Sequence, residues 1–412
     1  MHSNEENVET KLQRIAEKAR SDSRFQFTSL FHLMNVELLK ECFEGLRNNA
    51  ASGIDGITKE QYAEQLEENL YQLVGRLHRM AYIPQPVVRV NIPKPGSDKM
   101  RPLGIPALED KIVQAGLSRI LQAIYEQDFI EDSQGFRPNR SCHDALRALS
   151  QTVENQPINH IVEADIKGFF DNVDQDQLMT FLSHRIADPR ILRYIKRFLK
   201  AGIQEEGIFR ASERGTPQGG VISPLLANIY LHYTLDSWFT KRFIKTCTGT
   251  ARLIRYADDF VVCFQTEADA RRFRLEMEER LNQFGLEIAP EKTQRIEFGV
   301  FAIKRAKARG EKAATFDFLG FTHYCSRSRN GKRFRMKRKT ISKRFSAKLK
   351  VYKKWLKSNR TLSTPEILKA TARKLRGHYG YYGVTDNSKG VSAYFYEVKG
   401  MLYKWLNRRG KR

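Results

Sequence analysis

Two adjacent acids inside an apolar, strand-prone run constrain this chain more than any other feature. Ile254-Arg255-Tyr256-Ala257-Asp258-Asp259-Phe260-Val261-Val262 reads as a β-hairpin with carboxylates at its tip. Side-by-side carboxylates repel each other unless a cation lies close by. Taken alone, the pair is equally well a solvated Asp-Asp turn. A second run shifts that balance. His160-Ile161-Val162-Glu163-Ala164-Asp165-Ile166 is another apolar stretch that delivers an aspartate near its end, followed by Lys167-Gly168-Phe169-Phe170-Asp171. Two strands that present acids at one end build a site of hard oxygen donors, which suits Mg²⁺. Because strand side chains alternate in direction, Asp258 is expected to be the closer partner of Asp165. Asp259 is then peripheral, unless the turn re-aims it. Two Mg²⁺ ions held in this way can activate a hydroxyl and stabilise a leaving phosphate group in an in-line displacement.

The charge distribution points to a polyanionic partner. The net charge is +24 over 412 residues. Residues 301–412 hold 32 Lys and Arg against 5 Asp and Glu, a net +27, whereas the first 300 hold 39 against 42, a net −3. The basic excess therefore belongs to the C-terminal quarter. There it is interleaved with aromatics such as Phe345, Trp355, Tyr379, Tyr394 and Trp405. A disordered tail would be poor in aromatics, so a folded, phosphate-gripping module is expected. An apolar fraction of 41% supports folded domains. No apolar run approaches the length of a membrane span, and Met1-His2-Ser3-Asn4-Glu5-Glu6 is too polar for a signal peptide. Five scattered cysteines without a Cys-x-x-Cys pair disfavour zinc knuckles and disulfide frameworks, and fit a reducing, cytoplasmic setting.

Periodicity predicts two helices within 8–47, a loop over 48–56 and one amphipathic helix over 59–79, with Leu66, Leu70, Leu73 and Leu77 in register. A strand follows at 87–92, then a Pro/Gly loop from Pro93 to Gly104. Helices are expected over 109–127 and 141–153, the latter capped by Ser141 with Asp144 three residues on. After Asp165 come helices at 174–186 and 188–203, a tight Gly215–Gly220 loop and a helix over 222–240. A helix at 267–284, a strand near 286–288 and another around 316–321 are expected next. Beyond about 333 the pattern is helical and basic, which places a domain boundary near residue 330.

With these residues laid out, the chain resembles a family. Tyr256-Ala257-Asp258-Asp259 is similar to the reverse transcriptase signature, and the ordered blocks resemble bacterial group II intron reverse transcriptase/maturases. The blocks are Ala51–Gly56, Ile92–Pro95 through Arg101–Pro106, Gln134–Ser141, the Asp165 run, Gly215–Leu225, Pro290–Thr293 and Phe318–Phe321. The resemblance implies an α+β, right-hand polymerase: fingers and an antiparallel palm over 1–330, with an N-terminal extension to about 58, and a basic helical thumb, or maturase domain X, over 331–412. It implies catalytic and metal-holding roles for Asp165, Asp258 and Asp259.

The remaining residues take their roles from the same resemblance. Lys94 and Arg101 would clamp the triphosphate of a dNTP. Phe170 would exclude a 2′-hydroxyl, with an ordinary core Phe as its rival reading. Gln218 would meet nucleotide or template, and Lys292 would protonate pyrophosphate. Arg137 would contact template backbone, its rival reading being an inward ion pair. Phe318, Leu319 and Gly320 would position the primer. Lys337, Arg338, Lys339, Lys374, Arg376 and His378 would bind RNA, although packing is a competing role for His378. The implied partners are group II intron RNA, an RNA template with DNA primer, target DNA and dNTPs, with no membrane.

The chain departs from many members in having no room for a Cys/His-rich endonuclease after Lys404–Arg409. Self-made second-strand cleavage is therefore not expected, and priming from a nick or a replication fork is the implied substitute. The ending is also somewhat short for the family, as a truncated C-terminus would be. Two rival functions stand beside the polymerase. One is a splicing maturase with little polymerase activity, against which the retained Asp165, Asp258 and Gln218 count. The other is a reverse transcriptase domesticated for host defence, against which the maturase-like C-terminus counts.

Overall fold

A computed structural model describes residues 7–93, 100–216 and 219–409. Apart from two strands, the N-terminal third is helical and is organised around Leu108–Tyr125. That helix buries Ile112, Val113, Leu117, Ile120, Leu121 and Ile124 completely, so it is apolar around most of its circumference and sits inside the core. Val8–Ser21, Val36–Gly45 and Leu66–His78 pack their apolar faces into the same core. The helix expected over 59–79 is interrupted. A capping box of Thr58 and Gln61 starts the short helix Lys59–Ala63, and a second start follows at Leu66.

Three sheets follow. The first joins β1 (Val87–Pro93), β2 (Met100–Ile105), β4 (Ile203–Glu205) and β5 (Ile208–Arg210) in the order β2-β1-β4-β5. The second is the antiparallel sheet β6-β7-β3-β8, made of β3 (His160–Asp165), β6 (Ala251–Tyr256), β7 (Asp259–Phe264) and β8 (Gln294–Glu297). The third is β11-β10-β9, from β9 (Thr315–Phe318), β10 (Phe321–Arg327) and β11 (Phe334–Thr340).

The second sheet is covered on both faces, which is why β3 and β7 read as near-continuous apolar runs. Val162, Ala164, Phe260 and Val262 face the larger core, with helices Ser223–Leu231 and Glu267–Asn282. Ile161, Ile254, Val261 and Cys263 face a second core, built from helix Cys142–Asn155 and from Phe316, Phe318 and Phe321. The Ser141–Asp144 capping box forms as expected. A third, smaller core of Tyr352, Leu356, Ile367, Tyr394 and Val398 joins helices Ser342–Ser358, Thr364–Tyr382 and Ser388–Arg409. The α+β class follows directly from these elements.

Further expectations about secondary structure are corrected. Met100–Ile105, expected to lie mostly in a Pro/Gly loop, is strand β2 paired with β1. The strand near 286–288 is a single bridge, Ile166 to Ile288. The run 316–321 is two strands, folded back at Leu319 (φ +46°) and Gly320 (φ +82°), the left-handed pair that a tight hairpin turn requires. Residues 334–340 form a strand rather than a helix, because Met336 and Thr340 alternate inward; Lys and Arg between them carry no period of their own. A boundary near 330 therefore falls inside the β10–β11 hairpin, and the helical segment starts at Ser342. Finally, the helix over 222–240 contains a π turn, His232–Asp236.

Candidate active site at the β6–β7 hairpin

Asp165 closes β3, and its cross-strand partner is Asp259, the first residue of β7. Directly opposed residues of an antiparallel pair point to the same face. Tyr256 pairs with Asp259 to close the hairpin, leaving Ala257 and Asp258 as its two-residue tip. Ala257 takes φ +57°, a left-handed conformation unusual for a residue with a side chain. This turn re-aims the pair: Asp259, not Asp258, stands directly across from Asp165. Asp258 sits half-buried in the turn, yet still within the electrostatic reach of Asp165.

The electrostatics are those of anions short of a cation. Asp258 is held above the usual carboxylate range by burial and then by the charge of Asp165, while Arg101 and Arg255 pull the other way. Asp259 opens to the surface but is ringed by protein, and it is pushed up to about 6 by desolvation and then by Asp258 and Asp165. Lys292 already answers this field. Its Nζ donates to Asp165 Oδ2, a bond that raises the lysine above its ordinary value. The backbone arranges the meeting: Ala289 N donates to Asp165 O at 2.8 Å, and the turn Pro290–Lys292 follows immediately.

The donor set is all carboxylate oxygen, and an ammonium has been drawn onto it, so these residues fit a divalent cation of the Mg²⁺ type. Among the described residues no three His, Cys, Asp or Glu side chains close into a cage. Mg²⁺ is commonly held by one or two carboxylates, with substrate phosphates and water completing the shell. Sequence reasoning missed a fourth acid, Glu163, which accepts from Gln294 Nε2 at 3.0 Å. Burial pushes it up to about 7. Its signal was available, since it lies two residues before Asp165 on the same strand face.

A cavity of about 310 Å³ is lined by Arg89, Gly104, Phe170, Asp171, Arg214 and Thr216, among others. Phe170 is largely buried edge-on against Phe169 with ring centroids 5.4 Å apart, and it still contributes to the cavity wall. Thr216 N donates to Phe170 O at 2.8 Å, which ties Thr216 to this wall. Gly219 passes so close to Gly104 O that a side chain there would collide with it. Lys94 and Gln218 lie outside the described residues.

Phe318 and Leu319 are buried. Tyr381 Oη donates to Leu319 O at 2.9 Å, and Gly320 faces Arg344, Tyr381 and Tyr382. The hairpin tip thus docks on helix Thr364–Tyr382. Arg344 favours ionised Asp259, a contribution from the C-terminal helices that the sequence did not disclose.

Two candidates turn inward. Arg137 is 7% exposed, pairs with Glu126 at 2.9 Å and donates to the carbonyls of Ile130 and Ser133; its guanidinium is committed to the interior rather than to template. His378 is 2% exposed and stacks on Tyr394 with ring centroids 3.7 Å apart; burial lowers it to about 4. It is a neutral packing residue, not an RNA contact. Of the other basic candidates, Arg338 pairs with Asp386 at 3.5 Å, and Lys374 Nζ lies over Trp355 at 4.8 Å. Lys339 and Arg376 are exposed, and Lys337 is half-exposed.

Residues 92–323 match the family model for reverse transcriptase (RNA-dependent DNA polymerase). The match covers more than half of the chain, and the chain belongs to that family. It is 40% identical over 222 residues to the group II intron-encoded protein LtrA of Lactococcus lactis subsp. cremoris, a segment that is 54% of this chain and 37% of that protein. It is 37% identical over 253 residues to protein YkfC of Escherichia coli (strain K12), covering 54% and 66% of the two chains. A third relative is an uncharacterized 91 kDa protein in cob intron of Schizosaccharomyces pombe, 35% identical over 200 residues, 48% of this chain and 24% of that one. The chain thus spans little more than a third of the length of the first of these relatives, and within the family its likeness is to the group II intron reverse transcriptase/maturase type.

Proposed function

We propose that this chain is an RNA-directed DNA polymerase that copies RNA into cDNA and binds group II intron RNA to assist splicing and retrohoming. The observation that carries the reading is the Asp165–Asp259 register with Asp258 in the adjoining turn. The β6-β7-β3-β8 sheet is then the palm, the β1–β2 hairpin belongs to the fingers, and the helices from Ser342 form the thumb. Among the described residues no helix is long and apolar enough to cross a membrane, and we place the protein in the bacterial cytoplasm, in a ribonucleoprotein that acts on target DNA.

Asp165, Asp258 and Asp259 would hold two Mg²⁺ ions, which would supply Lewis acidity for the displacement. The chain's own groups do the rest. Arg101, with Lys94, holds the triphosphate. Lys292, released from Asp165, offers the Nζ proton to the leaving pyrophosphate. Phe170 closes the sugar pocket against a 2′-hydroxyl, a selection made by steric exclusion. Gln218 touches nucleotide or template, and Phe318, Leu319 and Gly320 seat the primer end. The assay is dNTP incorporation on a DNA-primed RNA template in Mg²⁺. Template-dependent extension is expected; a folded protein that binds the RNA but adds no dNTP would refute the polymerase half.

The acids also set a pH dependence. Asp259 must be ionised to hold a cation, and without one it takes up its proton at about 6 rather than at the ordinary 3.8. The folded chain therefore binds that proton more tightly than the unfolded chain. Without cation, the acid weakens the fold as pH rises from 3.8 to about 6. Activity runs the opposite way. At limiting Mg²⁺, extension should fall as pH drops below about 6, and saturating Mg²⁺ should move that limb to lower pH. A pH–rate series at two Mg²⁺ concentrations checks this, and a limb that ignores Mg²⁺ would count against it.

A further inference from the structure

The hairpin tip is held from beneath by a fully buried guanidinium. Arg255 is 0% exposed. Its Nε and Nη2 donate to the two Asp236 carboxylate oxygens at 2.8 and 2.6 Å. Nη1 donates to Asn228 Oδ1 and to the Ala257 carbonyl, both at 2.9 Å, and Nη2 reaches Ser133 Oγ at 2.7 Å. These bonds engage all five guanidinium protons, and one of them lands on the turn itself.

The surroundings are built for that contact. Asn228 Nδ2 donates to Gly135 O at 2.7 Å, and Gln134 N donates to Arg255 O at 2.8 Å. The loop carrying these residues lies flat under the tip, where a side chain on Gly135 would collide with Ala257 N. Ala257 itself stands at φ +57°. A non-glycine residue in that region costs on the order of 1–3 kcal/mol and persists only where its surroundings over-determine it.

The π turn belongs to the same construction. Asn228 and Asp236 are eight residues apart, and at about 100° per residue an unbroken α-helix would leave them roughly 80° out of line. The wider turn at His232–Asp236 absorbs the excess, so both side chains reach one guanidinium.

We propose that Arg255 is a positioning residue: by holding the Ala257 carbonyl in the left-handed turn it fixes Asp258 and Asp259 relative to Asp165, and the π turn supplies its counterion. The inference rests on the reading of these acids as the polymerase site. It differs from simple core support, because the anchored atom lies in the turn that carries the acids.

Two variants test it in the full-length chain. Arg255→Lys keeps the charge opposite Asp236 but has only three protons to donate, too few to hold every partner. Arg255→Met with Asp236→Leu removes both charges together and avoids stranding a buried carboxylate, should the first variant fail to fold. Hydrogen exchange by mass spectrometry is read on peptides covering 254–260, beside peptides covering 160–165 and 321–327, and extension kinetics are read in parallel.

The expected result is faster exchange at 254–260 alone and a kcat lowered tenfold or more, with template–primer Kd and dNTP KM within about twofold. Exchange loosened equally in all three segments would overturn the proposal and leave Arg255 as core support. Unchanged exchange at 254–260 would overturn it as well, and so would a loosened turn with kcat within twofold of the parent. If the parent chain itself extends nothing, the reading of the site fails, and the exchange arm still decides whether Arg255 anchors the turn.

Discussion

Asp258→Ala should lower primer extension on an RNA template by roughly a thousandfold or more, about 4 kcal/mol of barrier, while RNA affinity stays within about twofold. The size follows from where the residue sits. Asp258 occupies the turn, where burial and then the charge of Asp165 hold its carboxyl above the usual carboxylate range, so a bound cation would stabilise its anion. Removing it leaves Asp165 and Asp259 facing each other with too few oxygens for two ions. The fold should not suffer, because an unfavourably placed charge is lost and Ala257, which carries the backbone strain, is untouched. Filter binding with labelled RNA beside single-turnover extension measures both quantities. Extension within tenfold of the parent would remove Asp258 from the metal site.

Reversing Lys337 and Lys339 to glutamate should weaken RNA binding at least tenfold and flatten its salt dependence. Each phosphate contact contributes roughly 0.7 to 0.9 to the slope of log K against log salt. Losing two should therefore reduce the slope by about 1.4 to 1.8. Arg338 lies between them but is left out. It points to the other face of β11 and pairs with Asp386, so reversing it would break the link between that strand and the turn before the last helix. His378 is left out as well, since its ring is enclosed by Tyr382 and Tyr394. Binding isotherms across a salt series read the slope, and an unchanged slope would take the β11 lysines out of the RNA interface.

What the sequence disclosed and what it hid have physical causes. The β6–β7 hairpin was legible because apolar strands flank a pair of acids, and the helix after Ser141 was legible because its cap is written in adjacent residues. The placement of Asp259 opposite Asp165 was not, because it is set by the β3–β7 register, which two strands read separately do not give. Nothing in the Ala257 side chain announces its left-handed conformation, and the Gly135 backbone packed against Ala257 N is far away in sequence. The strand 334–340 was hidden by lysines and arginines, which sit on the surface of helix and strand alike. Arg137 and Arg255 show the limit from the other side. Both are arginines in a strongly basic chain, and only tertiary structure reveals that each spends its donors inside.

The measurement that bears most directly on the central claim is dNTP incorporation by the full chain on an RNA template annealed to a DNA primer, with Mg²⁺ supplied or chelated. The expected result is Mg²⁺-dependent, template-directed extension that prefers dNTPs over rNTPs and is absent from Asp258→Ala. A folded protein that binds the same RNA, yet extends no primer at any Mg²⁺ concentration, would contradict it.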